Sequence, residues 1–161
     1  MNLILIKLVF SLISIAKIEC LELNQTILFQ YFGYSNTSDV IDLSNQNITS
    51  IDRLTFRGLS KLGYLYLQNN KLERLEGELF LDLLGLRQIW FESNNIVSID
   101  DGTFYTGFLT PNIKRIVCLN DNPFIQNNPE KNIICHNCIV KTNEKCQKSL
   151  CNIIFDIFFF C

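Results

Sequence analysis

Residues 62–72 read LGYLYLQNNKL, and the spacing of the apolar residues in this stretch decides the fold. Leu62, Leu65, Leu67 and Leu72 are separated by 3, 2 and 5 positions, and an asparagine stands at position 70. A helix would repeat its apolar side roughly every 3.6 residues, and a half-buried strand would alternate over about 4–8 residues. Because the stretch does neither, it predicts a short strand with Leu65 and Leu67 on one face, followed by a turn.

The same pattern recurs on both sides of this stretch at a spacing of 24 residues. Residues 86–96 read LRQIWFESNNI and residues 38–48 read SDVIDLSNQNI, with apolar residues at corresponding positions. Two further columns keep the spacing: Ile51, Leu75 and Ile99, and then Phe56, Phe80 and Phe104. A repeat of this length predicts a solenoid, in which each unit buries its apolar side only by stacking on its neighbours.

These units resemble extracellular leucine-rich repeats, which have the form LxxLxLxxNxLxxL followed by a phenylalanine. A fourth, degenerate unit contains Val117, Leu119 and the sequence NPF at 122–124, and the resemblance extends over about residues 38–151. It implies an α/β-type repeat solenoid, a short horseshoe with a small parallel sheet on its concave side and an irregular or helical convex side. The period is four residues longer between Phe104 and Val117, where a longer loop is expected.

The N-terminal residues 1–16 read MNLILIKLVFSLISIA and are typical of a secretory signal, because a short apolar stretch ends in small residues. A membrane span would need about 20 apolar residues, and Lys17 and Glu19 interrupt this stretch too early. The predicted boundaries after the signal are an N-terminal cap at 17–37, leucine-rich repeats over 38–124 (38–61, 62–85, 86–113 and 114–124), a cysteine-containing C-terminal cap at 125–151 and an apolar tail at 152–161.

Other features of the sequence agree with secretion or display at the cell surface. Acceptor triplets for glycans begin at Asn24, Asn36 and Asn47, none with proline in the middle. Seven cysteines, all after the predicted signal, suit an oxidising compartment. A formal net charge of −2 without clustered basic residues argues against nucleic acid as a partner.

One asparagine in each later repeat is predicted to point inward at the turn after the strand. These structural asparagines are Asn70, Asn94 and Asn122. A buried amide has to be hydrogen-bonded, and asparagine offers both an acceptor and two donors for successive backbone groups. The first repeat departs from the pattern, since Gln46 stands at this position.

The C-terminal cap contains Cys135, Cys138, Cys146 and Cys151. The resemblance implies two disulfides there, Cys135–Cys146 and Cys138–Cys151, although the residues themselves permit three pairings. The CHNC sequence with His136 leaves two alternatives open, a redox-active pair or ligands for tetrahedral zinc. Structural disulfides fit the compartment and the context better, so we expect no metal and no cofactor.

Three cysteines remain outside that cap: Cys20, Cys118 and Cys161. Three thiols cannot all pair within one chain, so the sequence predicts that at least one is free or intermolecular. A fraction of disulfide-linked dimer is the corresponding expectation. The apolar tail, NIIFDIFFFC, is too short to span a bilayer, and packing on the last coil is one interpretation of it.

Stacking the repeats in register predicts which side chains the concave face presents. The predicted contact surface for an extracellular protein ligand consists of Tyr64, Tyr66, Gln68, Gln88, Trp90 and Glu92. Tyrosine and tryptophan dominate the hot spots of protein interfaces, which favours recognition. The alternative is that the aromatic residues only stabilise the sheet, by about 0.2–1 kcal/mol per cross-strand pair.

An enzyme is poorly supported by the sequence. The chain has one histidine, no G-x-S-x-G nucleophile motif and no glycine-rich phosphate loop. Proteins with this repeat mostly bind other proteins, so the resemblance implies a binding module without catalytic residues. A fragment of a larger leucine-rich-repeat receptor is the alternative, and a thiol- or zinc-dependent activity at the CHNC sequence is less favoured.

Overall fold

The computed structural model of the protein describes residues 20–104, 115–127 and 138–141. The predicted signal segment, the apolar tail, His136 and the cysteines at 135, 146, 151 and 161 lie outside the described residues. In chain order the elements are β1 (Leu21–Leu23), α1 (Gln25–Gln30), β2 (Val40–Asp42), β3 (Ile48–Ile51), β4 (Tyr64–Tyr66), β5 (Arg74–Leu75), β6 (Gln88–Trp90), β7 (Ser98–Ile99), β8 (Arg115–Cys118), α2 (Pro123–Asn127) and β9 (Cys138–Lys141).

One short strand from each repeat joins a parallel sheet in the order β2-β4-β6-β8-β9. The register places Leu65 beside Ile89 and Ile89 beside Val117, so equivalent residues of successive repeats are neighbours. Two smaller parallel pairs, β1 with β3 and β5 with β7, line a second side of the coil. The predicted short leucine-rich-repeat solenoid is therefore confirmed, with little helix in the described residues.

The apolar residues at repeat spacing form one continuous interior. Leu65, Leu67, Ile89 and Phe91 are all fully buried within it. A column of phenylalanine rings runs along the solenoid behind the sheet, with Phe80 lying 6.0 Å from Phe56 and 5.8 Å from Phe104 between ring centroids. Each coil thus buries its apolar side against the next coil, as the 24-residue period requires.

The longer third repeat does not disturb the sheet. Ile89 and its strand neighbour Val117 are 28 residues apart along the chain, whereas Leu65 and Ile89 are 24 apart. The four additional residues are therefore accommodated without any shift in strand register. The segment in which the longer loop was expected lies largely outside the described residues.

At the N-terminal edge of the sheet, one tyrosine side chain forms hydrogen bonds with the backbone of the edge strand. The Tyr34 hydroxyl donates to the backbone oxygen of Asp42 at 2.9 Å and accepts from the backbone nitrogen of the same residue at 2.8 Å. Both polar groups belong to β2, the edge strand, where free N–H and C=O groups would invite pairing with another chain. Tyr34 thus satisfies the two backbone groups of Asp42 on this edge with a side chain.

The opposite end of the sheet carries a strand that the repeat pattern does not predict. Strand β9 comes from the predicted C-terminal cap and pairs with β8 from Arg115 opposite Cys138 to Cys118 opposite Lys141. The cap therefore extends the sheet by one strand. No helix in the described ranges is long and apolar enough to cross a membrane.

Candidate functional site

The three asparagines at the turns lie inside the solenoid and bind backbone groups of two successive coils. The Asn70 Oδ1 accepts from the backbone nitrogens of Gln46 and Ile48, both at 3.0 Å. Its Nδ2 donates to the backbone oxygens of Leu43 and Leu67 at 2.8 and 2.9 Å. These contacts hold the turn of one coil against the strand of the preceding coil.

Asn94 and Asn122 repeat this arrangement one and two coils further on. Asn94 accepts from the backbone nitrogen of Leu72 at 3.1 Å and donates to the oxygens of Leu67 and Phe91, both at 2.9 Å. Asn122 accepts from Ile96 at 3.0 Å and donates to the oxygen of Phe91 at 2.8 Å. The side chain of Gln46 does not take this role, because it is exposed.

The concave face contains a stack of aromatic rings formed by neighbouring strands. Tyr66 lies directly beside Trp90 in the sheet register, and Trp90 lies beside Cys118. The Tyr66 and Trp90 rings are nearly parallel, at 16°, with centroids 4.3 Å apart. Tyr64 belongs to the same cluster, and its ring centroid lies 6.5 Å from that of Trp90. We call Tyr64, Tyr66 and Trp90 the aromatic stack.

The aromatic stack is buried, which corrects the expectation that these rings are open to solvent. Tyr64, Tyr66 and Trp90 are only 5%, 6% and 4% exposed. They form an apolar cluster separate from the main interior, together with Cys118 and with Ile116 packed against it. Strand alternation placed these side chains on the concave side, but alternation does not determine what else covers that side.

The polar members of the predicted contact surface lie around the stack. Gln68, Gln88 and Glu92 are half-buried, and Glu92 Oε1 accepts from the Asn120 side chain at 3.2 Å. The Gln68 Oε1 and the Trp90 Nε1 are both buried, and neither has a hydrogen-bond partner in the described part of the chain. A buried polar atom without a partner is unfavourable by about 1–3 kcal/mol, so the concave face carries an energetic cost at these two atoms.

Burial and a neighbouring carboxylate raise the pKa of Tyr66, a member of the aromatic stack. Desolvation by burial, followed by the charge of Asp42, raises the pKa of Tyr66 above its ordinary value of about 10. Both effects disfavour the phenolate, because it would be a charge in an apolar cluster and would be repelled by the Asp42 carboxylate.

This shift gives a pH dependence that can be measured. Since the unfolded chain loses the Tyr66 proton near pH 10 and the folded chain retains it longer, the Tyr66 contribution is present below pH 10 and is lost as pH rises through the folded pKa. In an alkaline absorbance titration of the five tyrosines we expect a late component that Tyr66→Phe removes. Tyr31→Phe should leave that component in place, and its survival in Tyr66→Phe would contradict the assignment.

Arg115, at the start of β8, is a buried charged residue that sequence reasoning missed. Its side chain is completely buried and donates through Nη2 to the backbone oxygen of Leu84 at 3.1 Å. Burial lowers the pKa of Arg115. The equivalent residue of the preceding repeat, Arg87, is exposed, so nothing in the sequence distinguishes the buried arginine from the exposed one.

The structure describes some of the cysteines and the three glycan-acceptor asparagines. Cys118 is buried and disulfide-bonded, not a free thiol on an open face, whereas Cys20 is exposed and free. The backbone of Cys138 lies in β9, and the pairing within the predicted cap stays a prediction. Among the acceptor asparagines, Asn24 and Asn36 are exposed and Asn47 is half-buried.

The described residues contain no group of three or more His, Cys, Asp or Glu side chains that could hold a metal ion. The alternative zinc or redox interpretation depends on Cys135 and His136, which lie outside the described residues. The candidate site is the concave face, where the described side chains offer apolar contact and hydrogen bonding.

The fold and the site define a class, the short leucine-rich-repeat solenoid with a parallel concave sheet. In comparison with known families, the family model described as leucine rich repeat matches residues 39–96. No curated protein matches the chain. The family match together with the repeat geometry supports a leucine-rich repeat protein, a class that consists typically of non-enzymatic modules for protein interaction.

Proposed function

We propose that this chain is a secreted or cell-surface module that binds a protein partner through the concave face of its solenoid. The observation that carries the proposal is the accessible part of the concave sheet, where Gln68, Gln88 and Glu92 lie half-buried around the buried aromatic stack. Partly exposed polar side chains around a rigid apolar cluster can supply the hydrogen bonds of a protein interface. Val40 and Asp42, on the edge strand of the same sheet, are exposed.

Secretion is supported by the apolar N-terminal segment and by the accessibility of the acceptor asparagines. Asn24 precedes α1, where its Oδ1 accepts from the backbone nitrogen of Ile27 at 3.0 Å. This cap uses the side-chain oxygen only, so a glycan on Nδ2 is compatible with it. Asn36 is exposed between the helix and β2.

Expression of the complete chain in a eukaryotic secretory system tests this location. We expect protein in the medium with a new N-terminus near residue 17 and a loss of mass on enzymatic deglycosylation. Asn36→Gln should lower the glycosylated mass by one glycan, whereas Asn95→Gln, an exposed asparagine outside any sequon, should leave it unchanged. An unprocessed and unglycosylated chain retained in the cytosol would contradict secretion.

The binding surface is tested with paired variants on two faces. The secreted, tagged protein is cross-linked to extracellular proteins of its source, and the affinity for a captured partner is then measured. We expect Gln88→Ala with Glu92→Ala, on the concave face, to weaken binding about tenfold, equivalent to about 1.4 kcal/mol. Leu54→Ala with Leu81→Ala, two exposed residues elsewhere on the solenoid, should have no effect. The reverse result would place the contact outside the concave face.

Trp90→Ala separates recognition from packing. A loss of affinity beyond that expected from stability, at a temperature where the variant is still folded, supports recognition. Unchanged affinity with a lower melting temperature would leave only the cross-strand role of about 0.2–1 kcal/mol per pair.

A further inference from the structure

The loop between α1 and β2 is fixed at both ends to the edge strand of the concave sheet. It begins at Tyr34, whose hydroxyl is hydrogen-bonded to both backbone groups of Asp42, at 2.9 and 2.8 Å. It ends at Asp39, just before β2, whose backbone oxygen accepts from the nitrogen of Tyr64 at 3.1 Å. The loop therefore doubles back beside β2, which is the outermost strand of the described sheet.

Residues 35–38 form a tight turn within this loop. The backbone nitrogen of Ser38 donates to the oxygen of Ser35 at 3.1 Å, and the Ser38 hydroxyl accepts from the nitrogen of Ser35, also at 3.1 Å. The hydroxyls of Ser35 and Thr37 lie 2.9 Å apart. Asn36, the acceptor of one sequon, stands at the second position of the turn with an exposed side chain that takes no part in these bonds. The turn thus presents the acceptor amide at its corner.

An aromatic ring stands two residues before this acceptor. Tyr34 is half-buried and packs against the main apolar interior, so part of its ring is accessible. The two hydrogen bonds to Asp42 hold the ring in place, so that a molecule packing on it does not have to immobilise it. Two residues of chain span at most about 7 Å, so a sugar on the Asn36 side chain lies within reach of the Tyr34 ring.

The first sugar of an asparagine-linked glycan has a surface that suits an aromatic ring. In N-acetylglucosamine the ring substituents are equatorial, so each face of the pyranose presents axial C–H groups with a partial positive charge on hydrogen. The face of an aromatic ring is negative, which makes the two faces attractive to each other in addition to the apolar area they bury.

We propose that a glycan on Asn36 stacks its first N-acetylglucosamine on the ring of Tyr34 and thereby becomes part of the N-terminal edge of the concave sheet. The inference rests on the proposed secretion of the chain, since the glycan is attached in the secretory pathway. A lipid-linked oligosaccharide diphosphate is the donor: its C1–O bond breaks, the bond from C1 to the Asn36 Nδ2 forms, and this nitrogen gives up one proton.

The consequence is a protected sheet edge. The nitrogen of Leu43 donates to the oxygen of Tyr66 in β4 at 2.8 Å, and the oxygen of Asp39 also faces β4, so alternation turns the backbone groups of Val40 and Asp42 to the open edge. Tyr34 satisfies those of Asp42, and Val40 is 39% exposed. A glycan fixed beside this strand keeps another chain from pairing with it.

The sequon at Asn24 provides the matched comparison. Glu22 stands two residues before it and Leu21 three, so this acceptor lacks the preceding ring. Its side-chain oxygen accepts from the backbone nitrogen of Ile27 at 3.0 Å. We expect a glycan on Asn24 to show no stacking of this kind.

Nuclear magnetic resonance of the secreted wild-type protein tests the stacking directly. Occupancy of Asn36 is established by peptide mass, and the glycans are then trimmed to a single N-acetylglucosamine at each site. We expect the ring current of Tyr34 to move C–H protons of the Asn36 sugar to higher field than those of the Asn24 sugar, with nuclear Overhauser contacts to the Tyr34 ring. Asn36→Gln assigns the signals. Equal spectra of the two sugars without ring contacts, or a secreted chain without a glycan on Asn36, would overturn the proposal.

Melting temperatures measure what the stacked sugar contributes. We expect the glycosylated protein to melt about 2–4 °C above Asn36→Gln, the shift that one aromatic contact gives in a domain of this size. The difference should persist in Tyr34→Phe, which keeps the ring, and vanish in Tyr34→Leu. Thr26→Ala removes the sequon at Asn24 and keeps its cap, and its effect should not depend on residue 34. An Asn36 difference that survives in Tyr34→Leu would overturn the stacking.

These outcomes separate the stacking from the proposed function. A chain that is secreted only behind a foreign signal, and then shows the contacts between the Asn36 sugar and Tyr34, would contradict the proposed secretion and keep the stacking. A chain that its own residues 1–16 direct to the medium, glycosylated at Asn36 but with the two sugars alike, would contradict the stacking and keep the proposed function.

Discussion

Replacing Asn94 by leucine is expected to lower the free energy of unfolding by about 2–6 kcal/mol, because one buried backbone group loses its partner at a cost of about 1–3 kcal/mol and two others each lose one hydrogen bond worth about 0.5–1.5 kcal/mol. The orphaned group is the nitrogen of Leu72. The oxygens of Leu67 and Phe91 lose the bond from Asn94 but keep those from Asn70 and Asn122. Leucine has a similar volume, so the loss is of hydrogen bonds and not of packing. For a domain with a total stability of about 5–15 kcal/mol, this change would remove a large share of the stability.

The measurement is urea unfolding followed by circular dichroism, with Asn95→Leu as the matched control. Asn95 is adjacent and exposed, and its backbone nitrogen pairs with the Leu72 oxygen whatever its side chain is. We expect the control to change the free energy of unfolding by less than about 0.5 kcal/mol. Equal effects of the two substitutions would show that the buried amide does not hold the coils together.

The strand register was predictable from the sequence because the same spacing of apolar residues recurs in each repeat. Leu65, Ile89 and Val117 occupy the same step of successive coils, and a slip of one residue would turn every apolar side chain to the other face. The inward asparagines follow from the same period, because the turn after each strand leaves backbone groups that only an amide can satisfy from both sides.

The parts of the structure that were not predictable depend on single contacts. The Tyr34 hydroxyl that closes β2 occurs once in the chain, and the pairing of β9 with β8 lies outside the repeat. The burial of the aromatic stack could not be predicted either. The alternation of a strand determines the side on which Trp90 lies, but it does not determine how far that side chain is buried.

Truncation of Phe80 to alanine is expected to lower the free energy of unfolding by about 3–5 kcal/mol, since a buried ring is lost and the cavity cannot fully collapse. Phe80 is completely buried and contacts aromatic rings from three sides, with centroids 6.0, 5.9 and 5.8 Å away. Those rings belong to Phe56, Phe91 and Phe104. All three rings belong to the coils on either side of Phe80, so the loss of the central ring removes contacts between coils.

Two comparisons make the Phe80 result interpretable. Phe80→Leu keeps most of the apolar volume and should be less harmful than Phe80→Ala, because a smaller cavity remains. Leu81→Ala, at the neighbouring position where the side chain is 42% exposed, should change the free energy of unfolding by less than about 1 kcal/mol. If Leu81→Ala were as harmful as Phe80→Ala in urea unfolding, stability would not depend on the ring column. A graded loss in the order leucine, then alanine, at position 80 would show that the solenoid is held together by rings stacked from one coil to the next.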